Sequence, residues 1–427
     1  MTQRPVAGAA ALRGTILVPA DKSIGHRALL ANAIAEGDAT VRLRAPGRDL
    51  ESTISCLAGL GIDIRRGGDA VALGGAPLGV PAESLDCGNS GTTMRLLAGV
   101  MAGQAVWGVL DGDESLRRRP MERVAAPLRA MGARVGTTDG HAPIRLRGGD
   151  LHAVSHDLPV ASAQVLGAIA FAALGCNGST TVHIPGPTRD HTERLLAWMG
   201  VPIRREEAWT TISGPARPTA RSLDVPGDPS SAAAWLVAAA LHPDADLVLS
   251  GVCLNPTRLA FLDVLREMGV QVEVEESRSD GPEPVGEIRV TSGDRLRPVR
   301  IGGEEVAALI DELPLLGVAM AAADGASELR DAGELRVKES DRIATMVAGL
   351  TAIGARVDDL PDGWRVRPGT ARDAAIATEG DHRIAIAFAV AALAGVAGTV
   401  QIDDAEAASV SYPGFWDDLD AVAAVPA

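Results

Sequence analysis

A chain of 427 residues is longer than one hydrophobic core usually organises, so two domains are expected. A net charge of -15 and an aromatic content of 3% exclude the usual nucleic-acid binder, which needs a basic footprint and stacking surfaces. Cys56, Cys87, Cys176 and Cys253 form no C-x-x-C pair, and no apolar run is long enough to span a bilayer, so a cytoplasmic protein with reduced thiols and no membrane contact is expected.

From the N-terminus, Gly14 to Val18 reads as a strand, and a polar cluster near Asp21 then opens a small-residue apolar helix. The same pattern restarts near Gly88, Ala161, Asp228, Asp311 and Asp381, about every 70 residues. A short strand follows in several copies, at Thr40 to Leu43, Thr180 to Ile184, Leu247 to Leu249 and Thr399 to Ile402. A second helix then ends on a glycine: Gly61, Gly132, Gly200, Gly269 and Gly354, with no such ending in the last copy. The fold class is therefore α/β, a strand-helix-strand-helix module with one or two closing strands, used six times and three per domain. Breaks at Pro19-Ala20 and Val225-Pro226-Gly227 place the crossings, giving a first domain over 20–227 and a second over 228–427 that also takes residues 1–19.

The polar clusters carry the candidate chemistry. All but two of the 40 basic residues are arginine, and the exceptions, Lys22 and Lys338, each sit in such a cluster. An ammonium is a compact point donor that a planar guanidinium does not imitate. Lys22, Ser23 and Arg27 read either as a helix cap with solvated bases or as an anion site; Asn89, Ser90, Gly91 and Thr92 read as a glycine turn or an anion nest. The run Arg117 to Arg119 reads as an exposed loop. Further cations fall in loops at Arg189 and Arg258, and His382 beside Arg383 reads as a capping pair at the opening of the last helix. In Leu335 to Arg342 the sequence predicts a helix start with Glu339 and Asp341 in its first turn and Lys338 and Arg342 on one face. Asp311 and Glu312 open another apolar helix, where capping and paired proton transfer are both open readings. His152 and His156 lack a third ligand, so no metal is expected.

Together, Asp21 to Arg27, Gly88 to Arg95, Arg119-Pro120, Ser162-Ala163-Gln164, Arg189 to Glu193, Leu335 to Arg342 and Asp381 to Arg383 closely resemble the 5-enolpyruvylshikimate-3-phosphate synthase (EPSP synthase) family along nearly the whole chain. The resemblance implies two domains, each of three βαβαββ repeats about a pseudo-threefold axis, with the active site in the interdomain cleft. It implies transfer of the enolpyruvyl group of phosphoenolpyruvate to the 5-hydroxyl of shikimate 3-phosphate, with release of phosphate and without any cofactor. Carried over by motif, Lys22, Ser23, Arg27, Ser162, Ala163, Gln164, Arg189, Asp311 and Lys338 would hold shikimate 3-phosphate. Lys22, Asn89, Gly91, Thr92, Arg119, Gln164, Arg342 and Arg383 would hold phosphoenolpyruvate, and Lys22, Asp311 and Glu339 would be catalytic. Glyphosate would inhibit, and the chain would act as a monomer. Two departures stand out: Ala163 replaces a second serine, and Val410 replaces a lysine of some relatives. The alternative, UDP-N-acetylglucosamine enolpyruvyl transferase, resembles the chain in module and donor but carries a cysteine where Glu114 stands here.

Overall fold

The computed structural model describes residues 2–278, 280–293 and 295–423. The chain divides into two compact units: Ala20–Val225 together with Asp280–Glu283, and Met1–Pro19 together with Pro226–Ser279 and Pro284–Ala427. Asp280–Glu283 lies within an acidic stretch that runs from Glu273 to Glu287.

Each unit is built from small mixed sheets of one plan. In the sheet of Leu85–Asp86, Trp107–Asp111, Arg134–Thr138 and His141–Arg147, the first two strands are parallel and the last two form a hairpin packed antiparallel on the second. The parallel pair forces a crossover, and the helix Gly91–Gly103 is that crossover. The first sheet of the unit Ala20–Val225 is completed from its far end, where Leu223–Asp224 pairs parallel to Asp38–Arg42. In the other unit the N-terminal segment supplies two strands. Leu12–Ile16 pairs parallel to Ala245–Cys253, two residues earlier than the sequence places it, and Arg4–Val6, which the sequence did not mark, pairs antiparallel to Val400–Ile402. That last sheet has three strands, with the N-terminal strand standing where the other modules put a hairpin.

The crossover helices are largely buried; in the mostly apolar Pro229–Leu241 every residue but the last is buried. Their alanines and glycines let backbones meet. A Cβ on Gly99 would lie 2.1 Å from the Ala168 carbonyl oxygen, so the helices Gly91–Gly103 and Ala163–Ala173 touch main chain to main chain. The glycines that close the second helices all adopt positive φ, from 84° at Gly61 to 106° at Gly132, as a left-handed helix ending requires. All four cysteines are free and buried, and among the described residues no helix is long and apolar enough to cross a membrane.

One predicted helix start moves. The helix runs Arg342–Ala352, and Asp341 caps it by accepting from the Ala344 N–H at 3.0 Å. Lys338 closes a 3-10 turn over Gly333–Val337, so Lys338 and Glu339 precede the helix and do not share a helical face with Arg342. The short aspartate side chain reaches the third helical N–H, and that fixes the start after it.

Candidate active site

In the unit Ala20–Val225, three crossover helices begin on predicted site residues. Asp21 caps the helix Lys22–Ala33 through the Ile24 N–H, Ser90 caps Gly91–Gly103 through Thr93, and Ser162 caps Ala163–Ala173 through Val165. Arg27, 2% exposed, ties the first of these starts to the third. Its Nε donates to Thr192 Oγ1 at 2.7 Å, one terminal nitrogen to the Ser23 carbonyl at 2.9 Å, and the other to the Ala163 carbonyl at 3.3 Å. Every acceptor is neutral. Burial, with Arg189 nearby, pushes the guanidinium down to about 10, although Glu193 and Asp21 oppose the shift. A buried cation held only by neutral oxygens is a ready anion site. Ala163 takes part through its backbone, so the missing second hydroxyl leaves this contact intact.

The second cluster surrounds Gly91. Arg119 donates to Asn89 Oδ1, Asn89 donates to Asp113 at 2.7 Å, and Gln164 accepts from Arg95 at 2.6 Å while donating to Thr92 at 2.9 Å. A Cβ on Gly91 would lie 3.0 Å from Arg95 Nη1 and 3.5 Å from Arg119 Nη1. The arginine run divides here: Arg117 pairs with Asp111 at 2.7 Å and Arg118 with Glu114 at 2.9 Å, both in exposed local pairs, and Arg119 alone joins the cluster. Lys22 donates to Asp49 Oδ2 at 3.0 Å. Beneath these helix starts runs a buried chain from His26 Nδ1 to Thr53 at 2.7 Å, Thr53 to Thr93 at 2.8 Å, and Thr93 to Ser90 at 2.7 Å. Burial pushes His26 down to about 3, with Lys22 and Arg27 acting in the same direction and Asp49 opposing, so the ring is neutral.

In the other unit Arg342, 1% exposed, gathers carboxylates. It donates to Asp381 at 2.8 Å and to Glu339 at 2.6 Å, and its Nη1 lies 3.9 Å from Asp311. Burial works against its charge, but Asp381, Glu339 and Asp311 outweigh burial and hold it above the ordinary arginine value. Asp381 is wholly buried; burial would raise its carboxyl, and Arg342 and His382 keep it below the usual range. Arg383 donates to the Asp311 carbonyl at 2.7 Å and stands 3.5 Å from its carboxylate. Asp311 and Glu339 keep 21% and 23% of their side chains exposed, enough to meet a ligand. Lys338 is not drawn into this group; its ammonium pairs with Glu334 at 3.2 Å. Val410 ends the 3-10 segment Ala405–Val410.

Asp49, Arg95 and Asp381 are among the residues of these clusters that the sequence does not single out as site residues. Arg95 was detectable as a charge one turn after Gly91 in an apolar helix, and Asp381 as the residue before His382-Arg383; Asp49, far from Lys22 in sequence, carried no local signal.

The family model described as EPSP synthase (3-phosphoshikimate 1-carboxyvinyltransferase) matches residues 6–419. A 3-phosphoshikimate 1-carboxyvinyltransferase from Roseiflexus castenholzii is 50% identical over 418 residues, covering 96% of each chain. The solved EPSP synthase from Acinetobacter baumannii is 36% identical with a TM-score of 0.87, covering 99% of this chain and 98% of that one. The enolpyruvyl transferase NikO from Streptomyces tendae, at 18% identity and a TM-score of 0.76 over 98% of this chain and 96% of its own, shares the fold.

Proposed function

The chain belongs to the EPSP synthase family, and on that premise we propose how its residues carry enolpyruvyl transfer from phosphoenolpyruvate to the 5-hydroxyl of shikimate 3-phosphate. The vinyl carbon of phosphoenolpyruvate becomes electrophilic only as its methylene takes a proton. The 5-hydroxyl then adds there as it loses its own proton, and the tetrahedral adduct expels phosphate while a methyl proton leaves to restore the double bond. An acid and a base are therefore needed on separate sides of the adduct.

The observation that carries the assignment is that Asp311 and Glu339 face one buried guanidinium, Arg342, while each keeps an exposed edge. Glu339 serves as proton donor to the methylene and Asp311 as base at the 5-hydroxyl. Arg342, Arg383 and Arg119 hold phosphoenolpyruvate with Asn89, Gly91, Thr92 and Gln164, and Lys22 supports the departing phosphate. Arg27 holds shikimate 3-phosphate with Lys22, Ser23, Ser162, Ala163, Gln164 and Arg189, joined by Asp311 and Lys338. Glu339→Gln and Asp311→Asn should each lower kcat by about two to four decades while shikimate 3-phosphate still binds. Unchanged turnover at saturation, or loss of binding with an unchanged rate, would reassign them as structural. Glyphosate would compete with phosphoenolpyruvate beside Gly91, and the chain would work as a cytoplasmic monomer with its two units as domains.

A further inference from the structure

Glu193, in the first turn of the helix His191–Trp198, is 6% exposed, and among the described residues neither carboxyl oxygen has a hydrogen-bond partner. The charges around it are few. From the strand Ile203–Glu206 comes Arg205, 3.5 Å away and 29% exposed, whereas Arg204 pairs with Glu206. From the helix Lys22–Ala33 comes Arg27, whose Nε is held by Thr192, the residue before Glu193. On its own helix and the preceding loop stand Arg189, Asp190, which pairs with Arg194, and His191, which pairs with Glu283. The neighbouring helix Ala163–Ala173 contributes no charge. Arg27 forms no ion pair among the described residues, and of all carboxylates Glu193 acts on it most strongly.

We propose that Glu193 is a positioning residue that balances the buried charge of Arg27, partly ionised in the empty site near neutral pH and protonated when shikimate 3-phosphate is bound, so that binding this substrate takes up part of a proton. The inference rests on Arg27 being a phosphate ligand. Two anions near one cation in a low dielectric repel, and the less costly outcome is a proton on the carboxyl that is buried without hydrogen bonds. Burial already pushes that carboxyl up to about 7, against its own backbone N–H and the pull of Arg205 and Arg27. Near neutral pH the group is close to half protonated, so a substrate phosphate tips it readily.

Titration calorimetry of the full chain with shikimate 3-phosphate at pH 7, in two buffers of different ionisation enthalpy, counts the protons taken up. Wild type is expected to take up as much as about half a proton more per substrate than Glu193→Gln, since the ligand's own titration is common to both. KM for shikimate 3-phosphate should rise between pH 6 and 8 by up to about tenfold relative to the variant, the equivalent of one pKa unit. Equal proton uptake in the two forms overturns the proposal, and absence of binding to wild type overturns the Arg27 assignment and the proposal with it. Should the variant fail to fold, infrared difference spectra of wild type with carboxyl-labelled glutamate decide: a protonated-carboxyl band appearing with substrate supports the proposal, and an unchanged spectrum overturns it.

Discussion

Lys22 pairs with Asp49 and keeps 22% of its side chain exposed, a point donor anchored at the start of its helix. A guanidinium there keeps the charge but not the compact head, so Lys22→Arg should lose most turnover, as steady-state rates would record. Turnover like wild type would remove the argument from the two lysines. Gly91 makes the opposite case, where absence of a side chain matters. An alanine methyl would press on the Arg95 guanidinium at 3.0 Å, a tight contact with the movable end of a side chain, and would occupy space beside Arg119. Gly91→Ala should therefore weaken glyphosate by about 1 to 3 kcal/mol while costing phosphoenolpyruvate less. Inhibition constants measured against phosphoenolpyruvate check this, and an unchanged constant would refute the steric reading. The lysines and the glycine could be picked out from the sequence because rarity and missing side chains are local facts. Asp49 could not, since its role exists only once a distant helix start converges on Lys22.

The repeated helices were legible as elements because their small apolar residues and terminal glycines are periodic, and the structure uses both, in close helix contacts and in left-handed endings. The start at Arg342 was misplaced because charges at Lys338 and Glu339 resemble a first turn, whereas the cap at Asp341 decides where the backbone turns helical. The strand Arg4–Val6 escaped notice because three residues carry no periodicity. What no pattern exposes is the polar chain from His26 through Thr53 and Thr93 to Ser90, which couples the first two helix starts beneath the surface. Its histidine titrates at about 3 in the fold against 6.5 when unfolded. A base with a depressed folded pKa stabilises the fold above its unfolded value, and that stability is lost as pH falls from 6.5 toward about 3. Denaturant unfolding of wild type should thus weaken by at most about 1.4 kcal/mol per pH unit across that window, and His26→Asn should flatten the dependence. Parallel curves for the two proteins would show that His26 does not drive acid unfolding.

Across the whole molecule the candidate chemistry is divided. The unit Ala20–Val225 carries Lys22, Arg27 and the Gly91 cluster, and the other unit carries Arg342 with its three carboxylates. The reaction as assigned uses residues of both units in each cycle. The net charge of -15 fits this division, because Arg27 and Arg342 are buried singly, the one among neutral and the other among acidic partners. The measurement that bears most directly on the assigned reaction is phosphate release from phosphoenolpyruvate by the purified full chain, with shikimate 3-phosphate in one reaction and UDP-N-acetylglucosamine in another. Release of one phosphate per 5-enolpyruvylshikimate 3-phosphate formed, with none from the UDP-sugar, is the predicted result; release with the UDP-sugar alone, or with neither acceptor, would contradict it.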